Sequence, residues 1–145
     1  MEYPNRPDID FILSSTRSVR KKLDYSRPIS EEDLVACVNV AVQAPTGLIG
    51  ENWRFLILTD KDRKADVAKL YREILIEISA RRGVTLKSSH LALMDRLHEI
   101  PCMIFVLAIG EPGGSVSEQV GFFGSVLPAA WSMMVAMRAR GIGTT

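Results

Sequence analysis

Residue types that could perform chemistry unaided are scarce in this chain. It contains two histidines and two cysteines, and it lacks the GxSxG, HExxH, P-loop and GxGxxG motifs. No carboxylate pair stands out for acid–base work. We expect His90 on the surface near a helix start and His98 beside a buried strand. We interpret both as structural, because a lone histidine is more often structural than catalytic. If the protein is an enzyme, a cofactor is expected to supply the chemistry.

The first segment with binding chemistry is TRSVRKK, residues 16–22. Arg17 and Arg20 lie three residues apart. Together with Ser18 and the backbone amides, they could hold a phosphate through charge-assisted, bidentate hydrogen bonds. A solvated basic face is the alternative interpretation, since most basic clusters of this size have no ligand.

The second segment of this kind is APTG, residues 44–47, within the long connector QAPTGLIGENWRF. Pro45 and Gly47 predict an unusual backbone whose amides and carbonyls are free to meet the edge of a flat heterocycle. Thr46 adds a hydroxyl. An ordinary helix-to-strand turn is the alternative. Trp53 and Trp131 are interpreted as core aromatic residues.

The composition indicates one globular domain over residues 1–145. The net charge of +1 gives no bulk attraction to nucleic acid or to an acidic membrane. The N-terminus is too polar for a signal peptide, and the apolar runs look too short for a membrane span. Cys37 and Cys102 lie in apolar surroundings without metal-ligand spacing, so we expect reduced, buried thiols and a cytoplasmic location.

Apolar residues at helical spacing predict helices at 8–15, from Ser30 to about Ala44, at 61–82, more weakly at 86–100, and at 118–141. Ser30 and Asp33 resemble a capping box, Pro45 disfavours further helix, and Gly83 is a natural stop. The continuous apolar runs 55–58 and 102–109 predict strands that are buried on both faces. GEPGGS, residues 110–115, is a loop.

The last helix carries two unusual features. Pro128 either kinks the helix or marks its first position, with Ser125 or a nearby residue as the cap. Gly121, Ser125 and Ala129 recur every four residues and predict close helix packing. That packing is either within the chain or between subunits.

In this order, these segments resemble the nitroreductase family of FMN-dependent NAD(P)H oxidoreductases, in particular its bacterial members. The resemblance is carried by TRSVRKKLDYSRPI, QAPTG, NWRFLILTD, HEIPCMIFVLAIG and SVLPAAWSMMVAMRARGIGT. It implies an α+β fold in which helices flank a mixed, mostly antiparallel sheet in three layers. It also implies an intertwined homodimer with two FMN molecules at the interface.

The resemblance assigns roles to the two binding segments. Arg17, Ser18 and Arg20 would contact the FMN phosphate and ribityl chain. The turn residues would contact the isoalloxazine ring of the FMN held mainly by the other subunit (Pro45, Thr46 and Gly47). Family members take a hydride from NAD(P)H onto flavin N5 and pass electrons to nitroaromatics, quinones or similar acceptors in a ping-pong cycle. That scheme needs no dedicated protein acid or base.

The chain departs from the family pattern in two ways. Ile49 and Glu51 stand where family turns usually carry Asn and Gln. The family also continues past GIGT into a further strand and a C-terminal extension, so we expect this chain to be truncated. Two alternatives follow: a flavin-binding protein without turnover, and a structural fragment without a ligand.

Overall fold

The computed structural model describes residues 6–47 and 50–145. In chain order the elements are α1 (Arg6–Ser15), α2 (Glu31–Ala41), β1 (Trp53–Leu58), α3 (Lys61–Arg82), α4 (Ser88–Arg96), a 3-10 helix (Leu97–Glu99), β2 (Met103–Ala108) and α5 (Val116–Ala139). Each predicted helix and strand is therefore present. The departure at Ile49 lies outside the described residues.

The described chain divides into two compact units. The first comprises residues up to Ser18, 29–56 and 105–145, and it contains α1, α2 and α5. In this unit α5 packs against both α2 and α1. The second comprises residues 19–28 and 57–104, where α3 packs against α4 and the 3-10 helix.

The start of α2 follows from its cap. Ser30 Oγ accepts a hydrogen bond from the Asp33 amide at 3.1 Å, as the sequence predicts. The helix ends at Ala41 rather than near Ala44. The Gln43 and Ala44 amides still bond to the carbonyls three residues earlier, so the chain turns tightly before Pro45.

Two further helix ends agree with the sequence. α3 stops at Gly83, which has a φ of 61° in the left-handed region that favours glycine. The loop at 110–115 ends in a capping box that starts α5. There Ser115 Oγ accepts from the Glu118 amide at 3.2 Å, and the Ser115 amide donates to Glu118 Oε2 at 2.9 Å.

Because α5 begins at Val116, the prediction that Pro128 marks a helix start capped near Ser125 is wrong. Pro128 lies inside the helix, where it removes the amide that would bond to the carbonyl of Gly124. Gly124 is exposed, so water can take up that carbonyl.

The strands are in the predicted places, but neither is buried on both faces. β1 and β2 pair antiparallel in a two-stranded sheet. Leu56 is 52% exposed and Leu107 is 41% exposed. Among the described residues no third strand extends this sheet, so one face of each strand meets solvent.

By length and composition alone, the 24-residue helix α5 could cross a membrane. This corrects the expectation that the apolar runs of the chain are too short for a membrane span. Core helices of globular proteins share this property. α5 buries one side against α1 and α2, as a core helix does.

Glu118→Gln is expected to reduce the acid sensitivity of folding. Hydrogen bonds from Ser115 lower the pKa of the Glu118 carboxyl. Its stabilising contribution is therefore complete above about pH 4.3, the usual glutamate pKa, and is lost as the pH falls through the lower folded-state pKa. Urea unfolding at pH 7 and pH 3 should show a smaller difference in the variant.

Glu111→Gln, in the exposed loop before α5, is the matched control for this measurement. If the difference in stability between pH 7 and pH 3 is the same in the Glu118 variant, the Glu111 variant and the parent protein, the role assigned to Glu118 is contradicted.

Candidate functional site

The turn at 45–47 lies on the surface and is held from beneath by α5. Pro45, Thr46 and Gly47 are exposed. The Gly47 amide donates to Ser125 Oγ at 3.3 Å, and the Gly47 carbonyl accepts from the Gly50 amide at 3.1 Å. The expectation of free backbone groups therefore does not hold for Gly47. Free groups remain on Pro45 and Thr46, which have no hydrogen-bond partner in the described part of the chain.

Asn52 ties the far end of the same connector to α5. Its side chain is 6% exposed, and Nδ2 donates to the Phe122 carbonyl at 3.3 Å. The Asn52 carbonyl accepts from the Ile109 amide at 2.6 Å, which aligns the two strands. Asn52 Oδ1 is buried without a partner among the described residues. The connector is thus fixed to α5 near Phe122 and near Ser125.

The space between the connector and α5 is filled by a small apolar cluster. Ala44, Trp53 and Ala129 are buried together, with Val42 and Phe55 against them. Ser125 is 4% exposed and Ala129 is fully buried, so these two residues pack within the chain, one of the two alternatives left open by the sequence. Gly121, the third residue at this spacing, is exposed, so the predicted close packing does not extend to it. Trp53 is a core residue as predicted. Trp131 is 46% exposed, so that part of the prediction is wrong.

The basic segment carries two arginines without structural partners. Arg17 is exposed and Arg20 is half-buried, and neither makes an ion pair or hydrogen bond within residues 6–47 and 50–145. Ser18 is exposed and forms an isolated parallel bridge with Thr144. Lys21 differs from them, since its Nζ donates to Ser88 Oγ at 2.9 Å. Arg17 and Arg20 therefore remain available to an anion.

Within the first unit, Ser15, just before the basic segment, and the turn meet different parts of α5. Arg138 Nε donates to Ser15 Oγ at 3.1 Å, so the chain enters the basic segment near the C-terminal end of α5. The turn is bonded at Ser125 instead. These two positions on α5 are about 20 Å apart along the helix axis, at 1.5 Å per residue.

The remaining reactive side chains do not form an active site. Both cysteines are free thiols, Cys37 fully buried and Cys102 half-buried, and burial raises the pKa of each. A raised pKa makes a thiol a poor nucleophile at neutral pH. His90 is half-buried in α4 and His98 is exposed. The described residues contain no His, Cys, Asp and Glu cluster able to hold a metal ion.

An open groove of about 250 Å³ lies in the second unit, between α3 and the segment 94–98. Its lining residues are Ala65, Ala68, Lys69, Arg72, Met94, Asp95 and His98. Arg72 is already paired with Asp95 at 3.0 Å. Lys69 is exposed in the same groove and makes no ion pair or hydrogen bond within the described residues.

Sequence reasoning missed two residues that shape the turn. Ser125 was noted as a small residue at four-residue spacing and as a candidate helix cap, and Asn52 only as part of the strand segment. A polar side chain inside an apolar helix face, and an amide just before a buried tryptophan, were the available signals. Neither signal identifies the partner.

The fold places the chain in a known class, the α+β proteins of nitroreductase-like fold. A model of the nitroreductase family matches residues 13–145. The chain therefore belongs to the nitroreductase family. No curated protein matches it.

Solved structures of similar fold include a nitroreductase-like family protein from Bacillus cereus, with a TM-score of 0.67 and 19% identity over 99% of this chain and 69% of that one. An iodotyrosine deiodinase bound to FMN and 3-iodo-L-tyrosine has a TM-score of 0.65 and 21% identity, over 91% of this chain and 70% of that one. The FMN-dependent nitroreductase NfnB from Mycobacterium smegmatis, in complex with NADPH, has a TM-score of 0.64 and 16% identity, over 94% and 72%. At these identities the similarity establishes the fold.

Ala129→Leu is expected to destabilise the protein by about 1–3 kcal/mol, because overpacking a filled core strains its neighbours. The fully buried Ala129 packs against Ala44 and Trp53, so the added volume has no free space. Urea unfolding measures the loss of stability, and Trp53 fluorescence reports the displaced connector. Ala139→Leu, at the exposed end of the same helix, should have little effect. Equal stabilities of the two variants would contradict this packing.

Proposed function

We propose that the protein is an FMN-dependent oxidoreductase that transfers electrons from NAD(P)H to nitroaromatic, quinone or similar acceptors. Membership of the nitroreductase family over residues 13–145 supports a flavin-dependent activity. The lack of a protein acid, base or nucleophile in the described site agrees with chemistry supplied by a cofactor. Bound FMN supplies the two-electron transfer between donor and acceptor.

The observation that carries this proposal is the unpaired state of Arg17 and Arg20. Arg20 is half-buried and makes no ion pair or hydrogen bond within the described residues, and Arg17 and the Ser18 hydroxyl are exposed nearby in sequence. A bound anion would supply the counter-charge that these arginines lack within the described residues. These three residues suit a phosphate, since guanidinium groups form bidentate hydrogen bonds with it. We assign them to the FMN phosphate and ribityl chain.

The turn supplies the proposed contact with the isoalloxazine ring. Pro45 and Thr46 offer exposed groups without partners in the described chain, whereas Gly47 offers its Cα surface. As the family resemblance implies, we assign the turn to an FMN held mainly by a second copy of the chain.

Purified protein titrated with FMN tests the proposal. A bound-flavin absorption spectrum, with NADH or NADPH consumed in the presence of a quinone, is the expected result. No quenching of FMN fluorescence on titration would exclude the proposed function for this chain. Flavin bound without any oxidation of either nucleotide would support the alternative of a binding protein. The exposed Glu51 is a reason to test that alternative, because its carboxylate can repel a reduced, anionic flavin.

Arg20→Ala is expected to weaken FMN binding by roughly 10- to 100-fold. A hydrogen bond to a charged group contributes about 1.5–3 kcal/mol. Fluorescence titration of FMN measures the change in Kd. Arg82→Ala, which removes an exposed arginine at the end of α3, should leave the Kd unchanged. Equal affinities for the Arg20 variant and the parent protein would show that the phosphate site is misassigned.

The homodimer is proposed from the second apolar face of α5. Five residues on this face are between 46% and 76% exposed: Val116, Val120, Phe123, Leu127 and Trp131. At about 100° per residue they lie within an arc of about 80° on the helix, roughly opposite Ser125 and Ala129. An apolar stripe of this length on a water-soluble surface marks an interaction site. A second copy of α5 supplies a matching stripe.

The cytoplasmic location stays a prediction.

Leu127→Glu is expected to weaken self-association by roughly 100-fold or more, since an unpaired carboxylate buried in an interface costs several kcal/mol. Sedimentation velocity measures the association, and the fluorescence of Trp131 on the same stripe should shift with concentration in the parent protein. Leu70→Glu is the matched control, because Leu70 is 56% exposed on α3. Unchanged association of the Leu127 variant would remove this stripe from the interface.

A further inference from the structure

Ser125 is a buried residue of α5 whose hydroxyl oxygen accepts a hydrogen bond from outside its own helix. Its Oγ donates to the Gly121 carbonyl at 3.4 Å, the i−4 bond that serine commonly makes inside helices. The oxygen then accepts from the Gly47 amide at 3.3 Å. The side chain is 4% exposed, so water does not compete freely for either bond.

This bond, rather than close packing, holds the turn at 45–47 in place. A Cβ atom placed on Gly47 would lie 3.9 Å from Ser125 Oγ, which is an ordinary van der Waals contact. Gly47 is therefore not required there by lack of space. The bond from Gly47 to Ser125 is also the only hydrogen bond between α5 and residues 45–47 in the described part of the chain.

The rest of the connector has its own anchors. The Asn52 side chain donates to the Phe122 carbonyl, and Ala44 is buried in the cluster with Ala129. Loss of the Ser125 hydroxyl would therefore leave the connector attached at both ends. Only the exposed tip, with Pro45 and Thr46, would lose its fixed position.

We propose that Ser125 is a positioning residue, which fixes the 45–47 turn in the geometry needed for contact with the flavin ring. The inference rests on the proposed function, because it concerns the orientation of groups that the proposal assigns to the ring. Ser125 itself is buried behind the turn and acts through Gly47. Removing its hydroxyl changes the environment of the ring more than it changes the fold.

Ser125→Ala tests the inference, with Ser132→Ala as the matched control. Ser132 is a half-buried serine on the same helix, without a hydrogen-bond partner among the described residues. Three measurements are made on each protein: the Kd for FMN, the visible absorption spectrum of the bound flavin, and amide hydrogen exchange of a peptide spanning the turn. The midpoint of urea unfolding shows whether the fold is retained.

The Ser125 variant should bind FMN roughly 2- to 10-fold more weakly, since a neutral hydrogen bond contributes about 0.5–1.5 kcal/mol. Its flavin spectrum should shift and the turn should exchange faster, while the Ser132 variant matches the parent protein in all three. Faster exchange with an unchanged spectrum and Kd would show a structural role only and overturn the inference. If the parent protein binds no FMN, the proposed function fails first; if it binds FMN and the Ser125 variant does so identically, the inference alone fails.

Discussion

The structure depends most on how α5 divides its surface between two kinds of contact. Helix α5 is apolar on nearly every side, and such a helix is stable in water only where its sides are covered. Its buried side carries small residues in its middle: Ser125 accepts a hydrogen bond from the Gly47 amide, and Ala129 is buried with Ala44 and Trp53. Its exposed side carries bulky residues such as Leu127 and Trp131. Small residues therefore lie on the packed side of α5, and large ones lie on its exposed side.

The arginines also fall into two groups, those with partners within the chain and those without. Arg140 pairs with Asp33 at 3.7 Å, which joins the C-terminal end of α5 to the first turn of α2. Each charge also suits the helix end where it lies, a cation at a C-terminus and an anion at an N-terminus. Arg138 is bonded to Ser15 and stacks over Phe11 at 5.4 Å. Arg17 and Arg20 are among the basic residues that make no ion pair or hydrogen bond in the described part of the chain, and they are the ones that the family resemblance assigns to the phosphate.

The sequence predicted local structure well because local structure depends on neighbouring residues. The Ser30 cap and the Gly83 stop follow from short-range hydrogen bonding and from φ preferences. Predictions that required knowing which distant residue a side chain contacts were less successful. Four-residue spacing on α5 predicted close packing, but it did not show that Ser125 bonds to Gly47, 78 positions away in sequence. Trp131 was misplaced because its apolar neighbours are the same whether they face a core or a second chain.

Flavin binding and association are thermodynamically linked in the proposed arrangement. If the basic segment of one chain holds the phosphate and the turn of another contacts the ring, FMN binds the dimer more tightly than the monomer. FMN then strengthens association by the same factor by which association strengthens FMN binding, because the two steps share one thermodynamic cycle. α5 connects the two sites physically, since Ser125 holds the turn on one side and the apolar stripe lies on the other. In this proposed arrangement, a second chain would cover the exposed stripe, and bound FMN would supply the anion for Arg17 and Arg20.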